Sequence, residues 1–152
     1  MKKKERIVVA AVTQHGGALS YAPDEFMNDP RVVLAALKKE YDALQYASDD
    51  IKNDEQFMLA AVTQDVMTLE YASDDIKDNE QVVLAAVRKL WIGLRYASDR
   101  LKNNEKIVRA AVEQNYEALQ YASDNMKNNE QIILAALEQD YDALAYASSE
   151  LK

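Results

Sequence analysis

Hydrophobic positions along this chain recur every 25 residues. A Tyr-Ala pair stands at Tyr21, Tyr46, Tyr71, Tyr96, Tyr121 and Tyr146, and an Ala-Ala pair keeps the same step from Ala10 to Ala135. Six segments of that length, 3–27, 28–52, 53–77, 78–102, 103–127 and 128–152, fill residues 3–152 without insertion. A fixed period in the range of roughly 20–50 residues marks a repeat array. Residues 3–152 are therefore read as one domain of six repeats. Numbering each repeat from 1 to 25, position 1 falls on Lys3, Asn28, Asn53, Asp78, Asn103 and Asn128.

Within a repeat the spacing predicts helices. Position 2 is Asp29, Asp54, Asn79, Asn104 or Asn129 in repeats two to six. Such side chains accept bonds from the free amides of a first helical turn. Position 3 is Pro30 or a glutamate, both suited to a helix start. Apolar residues at positions 5, 6, 9 and 10, such as Phe57, Met58, Ala61 and Val62, form one helical stripe. This predicts a first helix from position 3 to about position 12, for instance residues 55–64. A break follows at positions 13 and 14. In the first repeat it reads His15-Gly16-Gly17, and glycine adopts the left-handed conformation that ends many helices. A second short helix is expected over positions 14 to 20, with Leu at position 17 of every repeat. Pro23 or a serine at position 21 ends it, and the serine caps one more helical turn with an apolar residue at position 24. Isolated helices below about 12–15 residues are marginal in water. Burial must come from neighbouring repeats, and the fold class expected is an all-α solenoid.

Totals add little to that frame. Apolar residues make up 49% and charged residues 29%, a globular balance, with only two Pro and three Gly. No cysteine is present, so neither a disulfide framework nor a thiolate metal site is expected. The net charge of −8 argues against a nucleic-acid partner. The start, Met1 to Val12, resembles the basic region of a signal peptide, but its apolar run from Ile7 to Val12 matches the repeat pattern and is read as repeat one. No run approaches the roughly 18 apolar residues of a membrane helix, so no membrane insertion is expected.

The pattern Asn-Asp-x-x-Val-Val-Leu-Ala-Ala-Val-x-Gln-Asn-Gly-x-Ala-Leu-Gln-Tyr-Ala-Ser, matched most fully in repeats two, five and six, resembles the repeat of a bacterial domain-of-unknown-function family. Proteins carrying it include secreted effectors of intracellular pathogens. The resemblance covers residues 3–152 and implies a helical scaffold without a transferable catalytic motif. It also implies a cytoplasmic location, or a host cytosol if the chain is a secreted effector. Most repeats depart from it by lacking Gly at position 14, and repeat four reads Leu90-Trp91-Ile92-Gly93 there.

Candidate chemistry is sparse. His15 is the sole histidine and sits at a helix end, where it reads as a solvated terminal residue. Asp49-Asp50 and Asp74-Asp75 lack the glycine and bidentate acid of a calcium loop and recur with the repeat. No phosphate loop or nucleophile motif appears. The chain is accordingly expected not to be an enzyme and to need no cofactor. The position-19 tyrosines never vary and are expected to form a core ladder. Position 14 varies through Gly16, Tyr41, Val66, Trp91, Tyr116 and Tyr141, which leaves open a recognition stripe or partial burial between helices.

Repeat four stands apart. Leu90 and Ile92 flank Trp91 where other repeats are mostly polar, and repeat three contributes Val66 and Met67 at matching places. Five basic residues against three acidic ones give this repeat a local charge of +2, whereas repeat three carries −5 and repeat six −4. An apolar patch on an acidic surface marks a binding site; the competing reading has Trp91 and Ile92 filling a gap between repeats. The expected protein-contact set is Val66, Met67, Leu90, Trp91 and Ile92, with Arg88, Lys89 and Arg95 at the rim. The end repeats lack polar caps, so end-to-end self-association, weak order at the ends, or membership of a longer array are all open. A protein-binding scaffold is the leading reading. A self-associating structural array is the alternative.

Overall fold

The computed structural model describes residues 2–152. It is an all-α array of six helical repeats, with no strand among the described residues. The long helices are Lys3–Gln14, Pro30–Leu37, Glu55–Gln64, Glu80–Lys89, Glu105–Val112 and Glu130–Leu137. From repeat two onward each starts at position 3, directly after its Asp or Asn cap. Asp54 Oδ1 accepts from the Phe57 amide at 2.6 Å, and Asn104 Oδ1 from the Ile107 amide at 3.2 Å.

The middle segment is helical where expected, and the structure adds its type. Gly16–Tyr21, Tyr41–Tyr46, Val66–Tyr71, Trp91–Tyr96, Tyr116–Tyr121 and Tyr141–Tyr146 are 3-10 helices, not α-helices. Each has only six residues between two extended residues, at positions 13 and 20. So short a segment closes with i to i−3 bonds, as in Ala118 N to Asn115 O and Ala122 N to Leu119 O. Four-residue helices follow at Asp24–Met27, Asp49–Lys52, Asp74–Lys77, Asp99–Lys102 and Asp124–Lys127. As expected, in repeats two to five the serine before the turn caps it, as where Ser123 Oγ accepts from the Met126 amide at 3.2 Å, while Pro23 precedes the first.

The same serines tie the repeats together. The Ser123 amide donates to Lys102 O at 2.9 Å, across the junction with the repeat before. The Ser123 hydroxyl donates to Asn103 Oδ1 at 2.6 Å, and Ser48 does the same to Asn28 and Ser73 to Asn53. In repeat four the acceptor is Asp78, which Arg100 also approaches at 2.9 Å. The Ser98 hydroxyl and then Arg100 hold the Asp78 carboxyl below its ordinary value. This explains why an Asn or Asp at position 1 accompanies a Ser at position 21, and why repeat one, with Lys3 and Pro23, departs at both places.

The chain forms two compact units, divided between Ile76 and Lys77. In the first, Val32, Val33, Leu44 and Met58 are at most 1% exposed. In the second, Leu94, Ile107, Leu119 and Ile132 are fully buried. The position-17 leucines Leu19, Leu44, Leu69, Leu94 and Leu119 have no exposed surface, and burying such a side chain stabilises by about 1.5–3 kcal/mol.

Candidate functional site

The expected contact set divides between the two units. Val66 is 2% exposed and belongs to the core of the first unit, so it cannot serve as a contact residue. Met67 beside it is half-buried, and its amide is taken by Asp65 Oδ1 at 2.9 Å. The remaining six residues lie together in the second unit, at the end of the long helix Glu80–Lys89 and in the 3-10 helix that follows. Leu90 is 45% exposed, Trp91 and Ile92 are half-buried, and Arg88, Lys89 and Arg95 are exposed.

Local backbone makes Leu90 unusual. It occupies position 13, with φ −156° and ψ 124°, the extended geometry that precedes each 3-10 helix. In repeats three, five and six this position is a side-chain cap. Asp65 accepts from the Met67 amide at 2.9 Å, Asn115 from Glu117 at 2.8 Å, and Asp140 from Asp142 at 2.8 Å. His15 and Glu40 make no such cap either, but both are polar. Only in repeat four is the site given to an apolar side chain that stays largely in water.

Of the two readings left open for position 14, partial burial between helices describes Tyr41, Trp91 and Tyr116, while Val66 is in the core and Tyr141 is exposed. Each half-buried ring packs on the position-19 tyrosine of the next repeat, 30 residues along the chain. Tyr41 meets Tyr71, Trp91 meets Tyr121 and Tyr116 meets Tyr146, each at a centroid distance of 6.3 Å. The Trp91–Tyr121 pair is stacked, with 24° between the planes. These are the offset and tilted arrangements that aromatic quadrupoles favour. Partial burial and then the carboxylates of Asp140 and Asp142 push the Tyr116 phenol above its ordinary value, so it stays neutral. The same two causes, with Glu70 as the leading acid, raise Tyr71.

The expected tyrosine core ladder is corrected by these pairs. Tyr21 is 91% exposed and Tyr46 is 37% exposed, while Tyr71, Tyr96, Tyr121 and Tyr146 are half-buried. The two most exposed have no position-14 ring in the repeat before, and neither does Tyr96, which follows Val66 and is nonetheless half-buried. Tyr21 has no preceding ring, and Tyr46 follows a repeat whose position 14 is Gly16. The ladder lies along the seam between repeats, outside the core.

Around the site, polar groups are accounted for by the fold. Gln114 Nε2 donates to Val87 O at 2.5 Å and Arg88 O at 2.9 Å, which satisfies the carbonyl end of the long helix of repeat four. Arg88 and Lys89 in the last turn of that helix also suit its negative pole. The Arg95 guanidinium lies over the Tyr96 ring at 5.6 Å from its centroid. His15 is exposed at the end of its helix, and the Asp49-Asp50 and Asp74-Asp75 pairs are exposed first turns. Among the described residues no three His, Cys, Asp or Glu side chains are grouped so as to hold a metal ion, and no helix is long and apolar enough to cross a membrane.

Fold and site together define a helical-repeat protein in which an exposed Leu90 stands beside half-buried Trp91 and Ile92, with Arg88, Lys89 and Arg95 around them. The chain belongs to the family described as Domain of unknown function (DUF4116), whose model matches residues 5–52, 29–77, 54–102, 79–127 and 104–152. Each match spans two consecutive repeats and overlaps the next by one, so the family's unit is a pair of 25-residue repeats. That agrees with a repeat being completed by its neighbour. No curated protein and no solved structure matches the chain.

Proposed function

We propose that the protein is a non-enzymatic helical-repeat scaffold that binds another protein, in the manner of a bacterial effector or an effector-like scaffold. The observation that carries this reading is Leu90: 45% exposed, at a position where three sister repeats place a capping Asp or Asn. A cap at a helix start contributes about 0.5–2 kcal/mol, and an exposed leucine recovers none of it. The exposed leucine beside the edge of Trp91 has the composition of an interface anchor, with arginine at its rim. The local charge of +2 in a chain of −8 favours a partner that brings an apolar side chain flanked by carboxylates.

Trp91→Ala is the first test. Trp91 is half-buried, stacked on the Tyr121 ring and packed at the edge of the second unit's core, and the variant is expected to keep its helical circular dichroism. Proteins retained by the immobilised wild-type chain and lost with Trp91→Ala support the reading. Loss of helical signal in the variant makes Trp91 part of the core and ends it, as does an identical retained set.

A further inference from the structure

Three kinds of contact recur between consecutive repeats, each at two or more junctions, and the two ends of the chain leave all three open. The first is the ring pair between position 14 of one repeat and position 19 of the next. Tyr141 is a position-14 ring, 81% exposed, and Tyr21 is a position-19 ring, 91% exposed. The second is apolar. Position 5 is at most 5% exposed in repeats two to six but 62% exposed at Ile7. Position 17 is fully buried in repeats one to five but 44% exposed at Leu144. Leu134 adds a further 48% exposed leucine in the last repeat.

The third is electrostatic. At two junctions a cation at position 4 reaches back to the glutamate at position 3 of the repeat before it, while repeats three, four and six carry Gln at position 4. Arg31 meets Glu5 at 3.4 Å and Lys106 meets Glu80 at 3.0 Å, both over 26 residues. Position 4 of the first repeat is Arg6, and position 3 of the last is Glu130; both are exposed. Glutamine at position 12 follows the same logic. Gln139 Nε2 donates to Val112 O, and Gln139 Oε1 accepts from the Tyr116 amide at 3.0 Å. Gln14 holds that position in repeat one and is exposed, and the matching groups in repeat six are Leu137 O and the Tyr141 amide.

We propose that the chain associates head to tail with a second copy of itself, the first repeat of one molecule seating on the sixth repeat of the next in the register of consecutive repeats. Tyr21 then faces Tyr141 of the other copy, Ile7 and Leu144 lose their exposure, and Arg6 pairs with Glu130. The joint lacks one internal tie, because Pro23 has no amide to donate where Ser48 and Ser123 do. It is therefore weaker than an internal junction and depends on concentration. Because the two surfaces differ, the contact is heterologous and extends to open chains or closes in a ring.

Sedimentation velocity of the 152-residue chain from about 10 µM to 1 mM tests this. The weight-average mass is expected to rise above the 17.2 kDa monomer with concentration and to fall back in high salt. Arg6→Glu and Glu130→Arg are exposed changes that leave the fold intact; each alone places like charges at the joint and is expected to weaken association about tenfold or more. Mixed one to one, the two variants regain opposite charges at every alternating joint, and wild-type association returns. A monomer mass at all concentrations overturns the proposal. So does association that neither variant weakens, or a mixture that stays as weak as its components, since a symmetric or nonspecific dimer would behave that way.

Discussion

Leu119→Ala is expected to destabilise the second unit by about 2–5 kcal/mol, and Leu144→Ala by less than about 1 kcal/mol. The two leucines hold the same position in consecutive repeats and differ by what lies over them. Leu119 has no exposed surface and sits in a cluster with Ile107, Ile132 and Ala143. Leu144 is 44% exposed. Truncating the first removes buried methyl groups and leaves a cavity; truncating the second removes groups that already meet water. Urea denaturation followed by helical circular dichroism measures both. Equal costs would mean that a repeat buries its own leucine, against the idea that the next repeat does so.

Gly16→Ala is expected to cost about 1–3 kcal/mol through overpacking. A methyl group at Gly16 would lie 2.6 Å from Ala36 O and 2.9 Å from Glu40 Cβ. The carbonyl belongs to the helix Pro30–Leu37 and cannot swing aside as a long side chain can. Gly17 is more tolerant, since the atom nearest its added methyl is a glutamate oxygen at 3.2 Å, the same oxygen that accepts the Gly17 amide. A Gly17→Ala control should therefore lose less stability. The melting temperature of the two variants checks the order, and a harmless Gly16→Ala would contradict the close approach of repeats one and two.

Glycine at this place also shows how sequence reading works and where it stops. Gly16 reads as a left-handed helix terminator, yet no described residue has that conformation; His15 ends the helix in extended geometry. The glycine answers to a neighbouring helix, which local pattern does not display. Position 14 teaches the same lesson. Its ring partner lies 30 residues on, one period plus five, so it is invisible within a repeat and plain once the repeats are stacked. By contrast, the long helices begin where the Asp and Asn caps place them, and Glu55–Gln64 matches its expected bounds. Caps and amphipathic stripes act over three or four residues and are legible locally. The middle helix is legible as a helix but its 3-10 type is not, because its leucine and alanine spacing suits both helix types over six residues.

For the site, sequence comparison among the six repeats isolated Leu90, Trp91 and Ile92 as departures, and the structure leaves Leu90 in water and the other two half-buried. It also drew in Val66, whose variation reflects a missing ring at a packed seam rather than exposure. Variation alone does not separate a surface position from one where different side chains fill similar space.

The most direct test of a binding role for this surface is partner retention by Leu90→Asp. The backbone at Leu90 matches that at Asp65 and Asn115, so the new carboxylate should accept the Ile92 amide and raise stability by about 0.5–1 kcal/mol. A folded, more heat-resistant protein that no longer retains the wild-type partners is the result this account predicts. Undiminished retention by that variant would contradict it.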